Sequence, residues 1–275
     1  MSMPSVKTNG CELTMVLCAY GDNPFLEDSL KSLARQTVPV RMIVATSTPS
    51  AYIETLAAKY GAEYRINPER GGGIAADWEF AADCAETPYV TIAHQDDIYF
   101  SEYAARVLLA FEKAPDSQIV FTDYCDLVDG KYLKHRGYLL VKRLLLWPYY
   151  LKRSWRLKLF KRLPLCWGNA ISCPSVSYNI GRIGKLRFDR DFSVNLDWRK
   201  WLELSNLKGA FSYVPRCSMA HRIDRTTETS ASIRDNRRRD EDLRIFTEIW
   251  GRGIARFLMR FYSKSYKMAE SGRAK

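Results

Sequence analysis

The fold is decided by one stretch, Pro88-Tyr89-Val90-Thr91-Ile92-Ala93-His94-Gln95-Asp96-Asp97, in which an apolar, β-branched run ends in two adjacent carboxylates. The run predicts a buried strand. Ligands of open α/β sheets bind just beyond the carboxyl ends of such strands. Two neighbouring carboxylates repel each other unless they share a proton or a cation, and hard oxygen ligands favour Mg²⁺ or Mn²⁺. The pair therefore indicates either a metal site or a solvated acidic turn.

On both sides of this stretch, apolar strands alternate with helical patterns. The other predicted strands are 13–19, 40–45, 63–66 and 119–124. The predicted helices are 25–36, 51–60, 74–85 and 103–114. Strands separated by helices of ~10–15 residues imply a mostly parallel sheet that is covered on both faces.

Composition limits the class of protein. The chain has 275 residues, 47% of them hydrophobic, which suffices for one large domain or two small ones. A net charge of +11 predicts an anionic partner: nucleic acid, an anionic membrane or a phosphorylated substrate. Seven cysteines without a Cys-x-x-Cys pair argue against a zinc ribbon and a disulfide framework. We expect a cytoplasmic protein, because the first residues are polar and no uncharged run approaches the ~20 residues of a membrane span.

The middle of the chain, residues 131–188, contains no Asp or Glu and is rich in Lys, Arg and aromatic residues. This composition is typical of an interfacial membrane element and also of a nucleic-acid-binding surface. A solvated basic face is the third possibility. We favour the membrane, because an aliphatic cluster such as Leu144-Leu145-Leu146-Trp147 has little use on DNA.

Several motifs together resemble family 2 glycosyltransferases. Residues 26–37 are similar to the family's Leu-x-x-Ser-Leu-x-x-Gln-Thr helix, and the glycine loop 71–73 precedes an alanine-rich helix as it does in the family. The run His94-Gln95-Asp96-Asp97-Ile98-Tyr99 resembles the Asp-Gln-Asp-Asp-Ile-Trp motif of the rhamnosyltransferase-like branch of bacterial surface-polysaccharide synthesis. Asp197 stands where the family carries its catalytic base, and residues 221–224 stand where it often carries Arg-x-His. The resemblance covers about residues 11–230.

The resemblance implies a GT-A fold, which is a Rossmann-like, mostly parallel sheet flanked by helices. It places this domain at residues 11–234, with 131–188 as a basic aromatic insertion that faces the membrane or the acceptor. Residues 235–275 would form a helical C-terminal tail. The family further implies a nucleotide-sugar donor, a divalent metal (Mn²⁺ or Mg²⁺) and inversion at the anomeric carbon.

Roles for individual residues follow from the same resemblance. Asp197 is expected to remove the proton of the acceptor hydroxyl, and its neighbour Trp198 would raise its pKa; the alternative is an ordinary acid in the first turn of a helix. The expected metal ligands are Asp96, Asp97, His221 and Asp224. The expected nucleotide-sugar contacts are Ala19, Tyr20, Asp22, Thr46, Gly72, Gly73, Asp77, His94, Gln95, Asp96, Arg222 and Arg225.

Two positions depart from the family pattern. His94 replaces the first Asp of the motif, and a neutral imidazole prefers softer metals than Mg²⁺, so Mn²⁺ or a weaker metal dependence is expected. The segment Thr46-Ser47-Thr48 lacks the Asp with which many relatives recognise the nucleobase, so the nucleobase of the donor stays unassigned.

The sequence therefore predicts an inverting glycosyltransferase that lies on the inner face of the cell membrane. It would transfer a hexose or deoxyhexose to a lipid-linked or polysaccharide-precursor acceptor, and no nucleic-acid partner is expected. The alternatives are a basic nucleic-acid-binding α/β protein and a catalytically silent relative. Binding to anionic liposomes against binding to DNA separates the glycosyltransferase from the nucleic-acid-binding protein. The silent relative is favoured by His94 and by the missing Asp that would read the nucleobase.

Overall fold

A ten-stranded sheet forms the centre of the protein in a computed structural model that describes residues 10–224 and 237–271. The strands are β1 (Leu13–Ala19), β2 (Arg41–Thr46), β3 (Glu63–Ile66), β4 (Tyr89–His94), β5 (Ile98–Tyr99), β6 (Ser117–Val128), β7 (Lys131–Leu133), β8 (Ser154–Trp155), β9 (Val176–Asn179) and β10 (Ala210–Arg222). Their order is β3-β2-β1-β4-β9-β6-β10-β5, with β7 paired to β6 and β8 paired to β10.

Helices flank the sheet and connect most of its strands. They are α1 (Leu26–Leu33), α2 (Ala51–Lys59), α3 (Gly73–Asp83), α4 (Tyr103–Lys113), α5 (Gly137–Leu145), α6 (Trp147–Leu151), α7 (Lys158–Arg162), α8 (Ile180–Ile183), α9 (Leu196–Leu204) and α10 (Arg237–Ser271). A non-helical residue, Gly251 with φ 76° and ψ 162°, breaks α10 into two helical parts. All seven cysteines are free thiols.

The direction of the strands brings several strand ends to one edge of the sheet. Strands β1, β2, β3 and β4 are mutually parallel. Strand β9 runs antiparallel to both of its neighbours, β4 and β6, and β10 is parallel to β6. It follows that β1, β2, β4, β6 and β10 all point the same way. Their carboxyl ends form the edge at which α/β sheets bind ligands.

Alternating side chains of the strands fill two cores, one on each face of the sheet. On one face, Met15 and Leu17 of β1 pack with residues of α1, α2 and α4. On the other face, Val16 packs in a cluster that includes Trp198 of α9 and Phe246 of α10. This pattern confirms the prediction of a sheet covered on both faces.

The observed elements agree with the predicted alternation, with shifts at their ends. Strand β6 runs from Ser117 to Val128, beyond the predicted 119–124, because it pairs along its length with β10. Strand β9 was not predicted. It belongs to the basic segment 131–188, so this segment contributes both a central strand and the helices α5–α8.

The C-terminal helix α10 packs against α9. The rings of Trp198 and Phe246 are 5.3 Å apart and nearly perpendicular, and Phe246 is 1% exposed. The indole nitrogen of Trp250 donates to the carbonyl of Cys166 at 2.7 Å. Within the described ranges, no helix is long and apolar enough to cross a membrane.

Replacing Phe246 tests this packing. Phe246→Ala would leave a cavity beside Trp198 and is expected to lower the free energy of unfolding by about 3–5 kcal/mol. Ile254→Ala serves as the control on the same helix, because Ile254 is half exposed. Urea denaturation of both variants measures the difference, and equal stabilities would contradict the packing of α10 on the domain.

Candidate functional site

A buried carboxylate, Asp97, joins three elements at the binding edge of the sheet. Its side chain is 1% exposed, and its Oδ1 accepts a hydrogen bond from the backbone N–H of Arg222 at 2.9 Å. Its backbone carbonyl accepts from the hydroxyl of Ser29 in α1 at 2.7 Å. The loop after β4 is thereby fixed to the end of β10 and to α1.

Both acidic residues of the loop hold protons more tightly than ordinary carboxylates. Burial raises the pKa of Asp97 to about 7, although the N–H and the charge of Arg222 act in the opposite direction. Burial and the neighbouring charge of Asp97 raise the pKa of Asp96 to about 6. Burial therefore disfavours two ionised carboxylates at this position, and a bound cation would relieve that cost.

His94 lies beside this pair at the end of β4. Its ring stacks on Trp78 of α3, with ring centroids 5.4 Å apart and planes inclined by 21°. Burial and the charge of His221 lower the pKa of His94 to about 3, so the imidazole is neutral. The Nδ1 atom lies 3.8 Å from Oδ2 of Asp97.

The residues of this cluster fit a divalent metal. Ligand atoms of His94, Asp96 and Asp97 all lie within 4.8 Å of one another. Two buried atoms, Nε2 of His94 and Oδ2 of Asp97, have no hydrogen-bond partner. One neutral imidazole with two carboxylates is a donor set that suits Mn²⁺ better than Mg²⁺.

The structure places the other two predicted metal ligands differently. His221 is near the end of β10, opposite Asp126 of β6, and its Nδ1 is buried without a hydrogen-bond partner. It interacts electrostatically with Asp96, but it is not part of the compact three-residue group. Asp224 lies two residues beyond the end of β10.

The predicted base, Asp197, is buried in the first turn of α9. Its Oδ1 accepts from the backbone N–H of Trp198 at 2.6 Å, and its Oδ2 accepts from Nδ2 of Asn169 at 3.0 Å. Burial raises its pKa, while the Trp198 N–H, Arg238, Asn169 and Lys142 oppose the increase. The carboxylate is oriented by both of its oxygens and keeps lone pairs for a further proton donor.

Two cationic residues near Asp197 were not predicted for the site. Lys142 of α5 donates to the hydroxyl of Tyr124 at 3.0 Å, and its pKa falls to about 8, chiefly because it is buried and then because Arg238 lies nearby. Arg238 comes from the first turn of α10. The sequence offered no signal that would select these two from the many basic residues.

Helix α10 also fixes the segment that leads into α9. The Glu241 carboxylate accepts hydrogen bonds from the backbone N–H groups of Ser193, Val194 and Asn195. The next residue, Asp242, accepts from Nδ2 of Asn195 at 2.8 Å. The predicted tail thus determines where the first turn of α9, and with it Asp197, is held.

The loop after β1 is tied to neighbouring strand ends. The side-chain amide of Gln95 contacts the backbone of Tyr20 twice, accepting from its N–H at 2.8 Å and donating to its carbonyl at 3.2 Å. The N–H of Gly21 donates to the Thr48 hydroxyl at 2.8 Å. Of the residues in this region that were predicted to contact the nucleotide-sugar, Tyr20 is exposed, whereas Ala19 and Thr46 are buried.

A second cluster lies around Asp77 of α3. The Ser47 hydroxyl donates to its Oδ2 at 3.1 Å, and Nδ2 of Asn67 donates to its Oδ1 at 2.9 Å. At the start of α3, a Cβ on Gly72 would lie 2.5 Å from Cβ of Ala76, and Gly73 has a positive φ of 73°. Both glycines are therefore required by the turn into α3.

The remaining predicted nucleotide-sugar contacts include two residues that already bond to other parts of the protein. Asp22 accepts from the Ser50 hydroxyl at 2.6 Å. Nε of Arg222 donates to the carbonyl of Asp96 at 2.8 Å, and its guanidinium lies over the ring of Phe25 at 4.1 Å. Arg222 thus supports the loop that carries Asp96. Arg225 lies outside the described residues.

The family model named "Glycosyl transferase family 2" matches residues 14–181, more than half of the chain. The chain belongs to glycosyl transferase family 2. The match contains the loop after β4 and ends before Asp197. No curated protein matches the chain in sequence.

Solved structures show the same fold. The structure of TarS residues 1–349 from S. aureus has a TM-score of 0.57 at 13% identity, over 77% of this chain and 60% of that one. The same fragment in complex with UDP-GlcNAc gives 0.56 at 14% identity, over 80% and 61% of the two chains. Glucosyl-3-phosphoglycerate synthase from Mycobacterium tuberculosis gives 0.50 at 18% identity, over 78% and 73%. At these identities the likeness confirms the predicted GT-A fold alone, and the rhamnosyltransferase-like branch stays a prediction.

The titration of Asp242 provides a test of the contacts between α10 and α9. Burial raises the pKa of Asp242 from 3.8 to about 7, so the folded protein binds this proton more tightly than the unfolded chain. The free energy of unfolding therefore falls as pH rises through this interval. Asp242→Asn keeps the acceptor for Asn195 without the charge, and should be more stable than the parent at pH 8 by roughly 2–4 kcal/mol.

At pH 4 the same variant should match the parent, because Asp242 is then protonated. The exposed neighbour Asp240 supplies the control, and Asp240→Asn should leave the pH profile unchanged. Denaturant midpoints from pH 4 to pH 8 measure both. A stability advantage of Asp242→Asn that does not depend on pH would contradict the assignment.

Proposed function

We propose that this protein is an inverting glycosyltransferase that uses a nucleotide-sugar donor with assistance from a divalent metal. One observation carries the proposal: Asp197 and the His94-Asp96-Asp97 group belong to one electrostatic network. Lys142 and Arg238 act on both Asp197 and His221, and His221 interacts with Asp96. The network supports a single site with a metal-binding end and a proton-accepting end.

Asp96 would hold the metal beside the donor diphosphate, with His94 and Asp97 as the further ligands. When bound, the metal offsets the negative charge on the departing nucleoside diphosphate. The chain's own part is positional: Arg222 and Gln95 hold the loop that carries Asp96 against β10 and β1. TarS residues 1–349 have been solved in complex with UDP and with UDP-GlcNAc, which supports a nucleotide-sugar donor here.

Asp197 would accept the proton of the acceptor hydroxyl as that oxygen attacks the anomeric carbon. Inversion requires the attacking oxygen and the leaving diphosphate to be on opposite sides of the sugar, so a single displacement needs one base. The raised pKa of Asp197 makes it a stronger base than an exposed Asp. Its two hydrogen bonds hold the carboxylate in one orientation, which lowers the entropic cost of the transition state.

The acceptor we propose is a lipid-linked saccharide or another polysaccharide precursor at the inner face of the cell membrane, and the transferred sugar is a hexose or deoxyhexose. The net charge of +11 supports an acceptor with anionic phosphate groups or one embedded in an anionic surface. The alternative is a catalytically silent relative, which is favoured by the imidazole of His94 in place of a carboxylate.

Asp197→Asn tests the base. The amide cannot take up the proton, so we expect the rate of transfer to fall by about 10²–10⁴-fold, while donor affinity stays within about twofold. Radiolabelled sugar transfer and calorimetric nucleotide titration measure the two quantities. Asp191→Asn is the control, since this carboxylate is exposed. Full turnover by Asp197→Asn would exclude the assignment.

The metal is tested by substitutions at Asp96 and His94. Asp96→Ala should remove the thermal stabilisation that Mn²⁺ and a nucleotide produce together, because the proposed bridging ligand is lost. His94→Asp should raise the affinity for Mg²⁺ relative to Mn²⁺, because a hard oxygen replaces the imidazole. Glu112→Ala, at an exposed carboxylate of α4, is the control.

A thermal-shift screen of UDP-, dTDP- and GDP-sugars with each metal provides the measurement. Nucleotide binding by Asp96→Ala that equals the parent's, both with and without Mn²⁺, would rule out the metal role. An unchanged Mg²⁺ to Mn²⁺ ratio in His94→Asp would remove His94 from the ligand set.

A further inference from the structure

Large apolar side chains are exposed on two consecutive helices, α5 and α6. We define the apolar face as Leu140, Val141, Leu144, Trp147 and Leu151. Their exposed fractions range from 47% for Trp147 to 75% for Leu151. Exposed apolar residues that occur singly are normal, but a contiguous group indicates a contact with something apolar.

Helix α5 has two different faces. Leu140, Val141 and Leu144 are spaced i, i+1 and i+4, which places them on one side of the helix. The other side faces the sheet: Leu139 is buried, and Lys142 reaches Tyr124. Packing against the protein therefore does not explain the exposed side.

Helix α6 repeats this arrangement after a short turn at Leu146. Pro148 and Tyr149 are buried, whereas Trp147 and Leu151 are exposed. Each of the two consecutive helices therefore buries one side and exposes Leu, Val or Trp on the other. Trp at the border of such a surface is typical of the boundary between lipid headgroups and acyl chains.

The charges around the apolar face are positive. Lys152, Arg153 and Lys158 follow α6 and are exposed. Residues 131–188 contain no Asp or Glu, so no acidic residue of the segment compensates them. Apolar residues flanked by Lys and Arg complement an anionic lipid surface, where the apolar side chains enter the acyl boundary and the cations meet the headgroups.

We propose that the apolar face of α5 and α6 docks the protein on an anionic phospholipid membrane. The same helices connect this surface to the site, because Lys142 and Arg143 on the inner side of α5 contact Tyr124 and Asp123. Docking would therefore hold α5 at the membrane surface, with Lys142 on the side of the helix that faces the sheet. This location adds a membrane partner to the proposed function. It rests on the proposed function only in taking the acceptor to be lipid-linked.

Flotation with phospholipid vesicles tests the docking directly. The parent protein should float with vesicles of phosphatidylglycerol and phosphatidylcholine, and should float far less with phosphatidylcholine alone or at high salt. Leu144→Ser with Leu151→Ser should lower the partition coefficient by about 100-fold, since each buried leucine contributes roughly a factor of ten. The control is Leu207→Ser with Ile254→Ser, two half-exposed residues outside the face.

Three outcomes would overturn the proposal. The first is equal flotation of the Leu144/Leu151 variant and the control variant. The second is binding that does not depend on the anionic lipid. The third is a dimer in lipid-free solution that the Leu144/Leu151 variant disrupts, since the face would then bind a second copy of the chain. Circular dichroism of both variants confirms that they remain folded.

Activity on two acceptors separates this proposal from the proposed function. The Leu144/Leu151 variant should keep its rate on a water-soluble acceptor and lose rate on the same saccharide carried by a lipid in vesicles. A parent protein that floats with anionic vesicles but transfers no sugar to either acceptor would contradict the proposed function and leave the docking surface supported.

Discussion

The site depends on one buried carboxylate, that of Asp97. Its Oδ1 is occupied by the N–H of Arg222, and its backbone carbonyl by Ser29, so the end of β4 is tied to β10 and α1. An unpaired buried charge is costly, which explains why the pKa of Asp97 rises to about 7. The fold thus places Asp96 at the binding edge of the sheet, next to the buried carboxyl group of Asp97. A cation at this position would stabilise both carboxylates, and a diphosphate would in turn be held by that cation.

Local patterns were sufficient to predict the first half of the fold. The apolar run before Asp96 is one of several predicted strands that alternate with helices, which is typical of a parallel sheet. Strands β1 and β3 were predicted with their observed bounds. The carboxyl ends of such strands must meet, so the position of Asp96 at the binding edge also followed from the sequence. The family model that matches residues 14–181 covers this same region.

The part of the site around Asp197 depends on contacts between distant parts of the chain, and the periodicity of the sequence cannot indicate such contacts. Lys142 reaches the site because α5 packs on the sheet. Glu241 contacts the start of α9 because α10 folds back against it. Strand β9 was hidden in a basic segment whose composition suggests a surface, yet its four residues are all buried between β4 and β6. Asp197 was predicted from the resemblance, but not the Asn169 and Trp198 donors that orient it.

We propose that the end of β4 and the loop after it bind a divalent metal through His94 and Asp96. Pulsed electron paramagnetic resonance of Mn²⁺ bound in the presence of a nucleoside diphosphate detects these ligands. We expect bound Mn²⁺ to show a nitrogen coupling from the imidazole, and this coupling should disappear in His94→Asp while Mn²⁺ remains bound. If Mn²⁺ binds to the parent protein without any nitrogen coupling, or binds equally well to Asp96→Ala, then His94 and Asp96 do not form the metal site.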